Sequence, residues 1–173
     1  MHQTAMMLID AFEPEGVTML AKDSIFMMPH LGVLASVHPK AAEQVFARDC
    51  LVYLGTCVAA KGTPKPGKPC FSWELRGDRT GSGTINGGQM ELVELAEGET
   101  ATISLSPARG MDLGEGPGKK VEREVRGGTG GLILDGRGRS LELPEERAAC
   151  QSTVQGWLDS LDVYTEETEP AAV

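Results

Sequence analysis

The run CLVYLGTCVAA, residues 50–60, constrains the fold more than any other stretch. It carries no charge and is apolar at odd and even positions alike. Successive strand side chains point to opposite faces, so a strand of this composition needs cover on both sides. A chain of 173 residues is long enough to supply that cover from a single core. Period two then continues. CFSWELR alternates Phe71, Trp73 and Leu75 with Ser72, Glu74 and Arg76, as a half-buried strand should. Further strands are expected at 89–95, 100–106, 120–126, 131–134 and 139–143, punctuated by glycine and proline.

The residues before this run obey a different period. Ala5, Leu8, Ile9 and Phe12 mark one face of a helix that Pro14 and Gly16 end. Residues 17–22 suggest a strand, and Asp23 or Ser24 caps a helix through about Val37. Pro39 suits the first turn of a further short helix over 40–48. Near the other end, Pro144-Glu145-Glu146 reads as a helix start, with Cys150, Val154, Trp157, Leu158 and Leu161 on one face. The expected fold is therefore α+β: a short N-terminal α/β segment (1–49), an antiparallel β-barrel or sandwich (50–143), a C-terminal helix (144–163) and an acidic tail (164–173).

Charge excludes several partners. Sixteen Lys and Arg against 25 Asp and Glu give a formal charge of −9, which opposes non-specific binding to nucleic acid or to an anionic membrane. No apolar run has the roughly 18 residues of a spanning helix, and the N-terminus lacks a basic leader, so a soluble cytoplasmic protein is expected.

Few residues carry chemistry. Cys50, Cys57 and Cys70 lack the spacing of a zinc knuckle, and buried thiols are the simpler reading; a metal carrier is the alternative. Gly114, Gly116 and Gly118 form GxGPG, yet Lys119 and Lys120 are followed by Val121 rather than Ser or Thr, and a strand follows rather than a helix. The glycines fit a tight excursion between strands with positive φ better than a nucleotide loop. Asp135, Arg137 and Arg139 cluster at an Asp-Gly turn. They either pair within a hairpin, Asp135 accepting backbone N–H groups, or offer a bidentate fork to a partner's carboxylate or phosphate. Met6, Met7, Met19, Met27 and Met28 make either an adhesive surface, since thioethers adapt to irregular contacts, or part of the core.

Taken in order, LIDAFEPEGVTMLAKD, LGVLASVHPKAAEQVF, LVYLGTCVAAKG, ARGMDLGEGPG and GGTGGLILDGRGRSLELPEE resemble the carboxy-terminal third of the MutL-type accessory proteins of glutamate mutase, which are unrelated to the mismatch-repair proteins sharing that abbreviation. The likeness covers roughly residues 5–160. Full-length members of that family look like actin- and Hsp70-type ATPases and are thought to reactivate adenosylcobalamin-dependent mutases. The phosphate and adenosine loops of that fold have no counterpart here. The resemblance thus implies a non-catalytic accessory subunit that binds no cofactor alone, ATP or adenosylcobalamin residing on an ATPase-like partner or larger enzyme. Residues 1–49, the loop at Gly114–Gly118 and the charged turn are then the expected contacts. The alternative is a free-standing small-molecule binder or enzyme with a site in the mouth of the β-domain, built from Asp112, Glu115, Asp135, Arg137 and His38.

Overall fold

The computed structural model describes residues 2–161. The acidic tail expected at 164–173 lies outside the described residues. The chain runs α1 (His2–Phe12), β1 (Gly16–Asp23), α2 (Met28–Ala35), α3 (Pro39–Val45) and a π-helical turn (Phe46–Cys50). Then come β2 (Leu51–Ala59), β3 (Pro69–Gly77), β4 (Gly81–Asn86), β5 (Met90–Val93), β6 (Thr100–Pro107), β7 (Val121–Arg126), β8 (Leu132–Asp135) and α4 (Arg147–Ser160). Two four-stranded sheets, ordered β1-β2-β8-β5 and β4-β3-β6-β7, make a sandwich rather than a closed barrel. All pairings are antiparallel except β2 with β8, which is parallel.

The molecule has three layers, because the first sheet is covered twice. Between the sheets lie Phe71, Leu75, Ile85, Ile103, Leu105, Val121 and Val125, facing Val58, Leu132 and Leu134. On the other face of the first sheet, Leu54, Cys57, Ala59 and Ile133 pack against Ala5, Met6 and Ile9 of α1 and Trp157 of α4. This double cover is what the two-faced apolar run at 50–60 requires, and it makes all four residues of β8 buried.

Several local expectations are corrected. β1 pairs along its length with β2, from Gly16 against Ala59 to Asp23 against Leu51, so a boundary at residue 49 would cut through a hairpin. Asp23 is not a helix cap. Its Oδ1 accepts from the N–H groups of Ile25 and Phe26, both at 3.0 Å, and this turn delays α2 until Met28, with Pro29 in its first turn. Phe12 is exposed rather than on the buried face of α1, because the chain turns at Glu13, where φ is 42°. α4 starts at Arg147, since Glu146 uses its own side chain to accept from Ala148 and Ala149. No strand forms at 139–143, where Arg139 makes one isolated bridge with Gly62. β4 has no counterpart among the expected strands, because GSGTIN reads as turn by composition.

Candidate functional site

Two places concentrate the unusual chemistry, one sealed and one open. The sealed place begins where β8 ends. Asp135 is fully buried, and its carboxylate accepts from Arg137 N–H (2.9 Å), Arg137 Nε (3.0 Å), Arg137 Nη2 (2.9 Å) and Arg139 Nη2 (3.0 Å). Arg137 also reaches Asp10 of α1 at 2.9 Å and stacks 4.7 Å from the centroid of Trp157, whose Nε1 donates to the Gly88 carbonyl. Arg139 Nε donates to the Pro14 carbonyl and its Nη1 to the Gly138 carbonyl. One ion cluster thus clasps α1, α4 and the end of the central strand β8.

Its electrostatics are those of a clasp. Burial pushes the Asp135 carboxyl up, but the Arg137 and Arg139 guanidiniums and the Arg137 N–H outweigh burial and hold it below the usual range. Burial lowers Arg137, and Asp135 and Asp10 more than restore it. Two carboxylates match two guanidiniums. Asp135, Arg137 and Arg139 spend most of their donors and acceptors within the chain, in the pairing the turn chemistry allowed, while the buried Arg137 Nη1 has no partner among the described residues.

The glycine loop is likewise occupied by its own chain. Gly114, Gly116 and Gly118 adopt φ of 109°, 106° and 72°, the excursion expected of them. The N–H groups of Gly114 and Gly116 donate to Asp112 Oδ1 at 2.8 and 2.9 Å, and they hold that carboxyl below its ordinary range. Donors that would cradle an external anion already cradle Asp112. Asp112 and Glu115 belong to this loop and Asp135 and Arg137 to the clasp, which adjoin through the bridges of Lys61 with Asp112 and Gly62 with Arg139, while His38 of the alternative site stands at the start of α3.

The cysteines are dispersed too. Cys57 lies under the helices, Cys70 between the sheets and Cys50 at the end of the π-helical turn before β2, and no group of three metal-capable side chains occurs among the described residues. Burial pushes the Cys57 thiol up strongly and the Cys70 thiol up to about 11, with Asp135 adding to both.

The chain matches no family model, no curated protein and no solved structure.

The open place is the excursion between β1 and β2. Residues 24–50 leave the hairpin at Asp23 and return at Leu51, and Ser24 closes the base through its N–H and Oγ, both donating to the Cys50 carbonyl. Within this arm α2 and α3 pack chiefly on each other, burying Leu31 and Ala42. Ile25, Phe26, Met28, Val33 and Val37 stay exposed, Phe26 most of all at 85%. Phe26 also holds a left-handed φ of 54°, so the Asp23 turn and a strained backbone together direct an aromatic ring into solvent.

The methionines are dispersed: Met6 and Met7 lie on α1, Met19 on β1, and Met27 and Met28 in the arm. Met6 is buried under the first sheet, the core alternative of the methionine reading. Met27 is half-buried, while Met7, Met19 and Met28 are exposed. The methionine reading missed Ile25, Phe26, Val33 and Val37. The available signal was α2 itself, MPHLGVLA, which has no polar face and so needs a neighbour on every side.

Proposed function

We propose that this chain is a non-catalytic accessory subunit that docks on a larger protein through the arm between β1 and β2. The observation that supports this reading most is the presentation of Ile25 and Phe26 by the Asp23 turn, continuous in sequence with the apolar α2. Contiguous apolar surface with aromatic anchors is the composition of a protein interface. Charge agrees with it. Lys40 and Arg48 balance Glu43 and Asp49, so the arm is neutral and the −9 resides on the rest of the chain. The MutL-like resemblance makes an ATPase-like subunit, or a cobalamin-dependent mutase complex, the first partner to test, with ATP or adenosylcobalamin on that partner.

The experiment is site-specific crosslinking in the source cell with a photoreactive phenylalanine analogue at position 26. A single adduct with one defined larger protein, abolished by Val33→Asp, is expected. A chain that runs at 18.4 kDa in native extract and yields no adduct from the arm overturns the proposal.

A further inference from the structure

A second surface, independent of the arm, lies at the opposite sheet. β4 is an edge strand of sequence GSGTIN, and Gly81, Ser82 and Thr84 are exposed. Natural edges are guarded by charge, proline, a bulge or a covering segment, because unpaired backbone groups recruit other strands. β4 has no charged residue and no proline, and its pairing with β3 is regular from Phe71–Ile85 to Leu75–Gly81. In an antiparallel ladder the alternate N–H and C=O groups of such a strand point away from its neighbour.

Two further features sit against this edge. Trp73 of β3 extends beneath β4: a Cβ on Gly83 would stand 2.9 Å from the indole Nε1, and one on Gly81 would stand 3.2 Å from the ring. That Nε1 is buried and has no hydrogen-bond partner among the described residues, although Trp73 is only 6% exposed. Buried indole N–H groups ordinarily find an acceptor. On the outer face, an open groove of about 1100 Å³ crosses the sheet from β4 to β7, lined with hydroxyls from Ser72, Ser82, Thr84, Ser104 and Ser106 and with the balanced charges of Glu74, Glu122, Arg76 and Lys120.

We propose that β4 accepts an extended, basic segment of another polypeptide as a fifth strand of the second sheet, with an Asn, Ser or Thr side chain opposite Gly83 accepting from Trp73 Nε1. Main-chain pairing supplies the binding and the alternate side chains supply the selection. The charges of Glu74 and Glu122 cancel those of Arg76 and Lys120 beside the edge, so the selection for a basic segment over a second copy of the chain comes from the formal charge of −9 acting at longer range. A six-residue edge also offers two folded bodies far less than the ~1,000 Å² of a stable interface.

The probe is a fluorescein-labelled octapeptide of alternating Lys and Thr with a central Asn, titrated into the full chain by anisotropy and by amide NMR. Saturable binding is expected, with shifts concentrated on residues 81–86 and on the Trp73 indole N–H. Of two isomers N-methylated on opposite alternate amides, one should bind at least tenfold more weakly and the other should bind as the parent does. Ser82→Lys, which guards the edge without altering the core, should weaken binding of the parent peptide at least tenfold. Shifts centred away from β4, equal binding of both methylated isomers, or self-association through β4 without peptide each overturn the proposal.

Discussion

α1 and α2 are both short helices near the N-terminus, both rich in apolar residues, and the fold treats them in opposite ways. α1 lays Ala5, Met6 and Ile9 on the first sheet and is tied at its far end by Asp10 to Arg137 and by Glu13 to the Leu141 N–H. α2 has a comparable supply of apolar side chains and buries only Leu31. The difference lies in where each helix is attached. After α1 the chain turns at once into β1, which belongs to the sheet that α1 covers. α2 hangs from the open end of a hairpin whose strands are already covered. Apolar composition alone therefore does not locate a core; the connection decides whether a sheet face is within reach.

The sharpest way to break this contrast is to cut the clasp. Asp135→Asn leaves two buried guanidiniums with only the half-exposed Asp10 as counter-charge, and a loss of about 3–5 kcal/mol in denaturant unfolding is expected. The acid limb has a defined sign. Asp135 is held below its unfolded value, so its contribution is complete above that value, about 3.9, and disappears as pH falls through the lower folded value. The variant should lose that part of the acid dependence. An unchanged stability would mean that α1 and α4 do not depend on the clasp.

Next in size is Ile9→Ala, which opens a cavity under the first sheet and should cost about 2–4 kcal/mol by the same measurement. Trp157→Phe removes the donor to the Gly88 carbonyl and weakens the stacking on Arg137, for a loss of about 1–2 kcal/mol. If Trp157→Phe cost more than Ile9→Ala, α4 rather than α1 would be the principal cover.

Alternation made β3 and β6 legible, and the unbroken apolar run made the double cover of β2 legible, because both patterns record burial directly. The clasp was half legible. Turn chemistry gave the pairing of Asp135 with an arginine, but arginines are ordinarily solvent-facing, and nothing local foretells that α1 and α4 will close over these two. β4 was hidden because glycine and serine denote turns unless a neighbour such as Trp73 fills the space their side chains leave. The arm was legible as helices and illegible as a surface, since a helical period says which residues share a face and nothing about whether anything covers it.

The smallest expected effect has the opposite sign. Phe26→Gly relieves a left-handed backbone that costs a non-glycine residue about 1–2 kcal/mol, against roughly 0.4–1 kcal/mol for the added freedom of the unfolded chain. With 85% of the residue exposed there is little packing to lose, so a net gain of about 0.5 kcal/mol in denaturant unfolding is expected. The same substitution should abolish docking through the arm. A residue whose removal stabilises the free chain is kept there against the interest of folding, and the ring it presents is then explained by what it binds. A loss exceeding ~0.5 kcal/mol would show instead that Phe26 packs within the arm, and the contrast between a covered α1 and an open α2 would no longer hold.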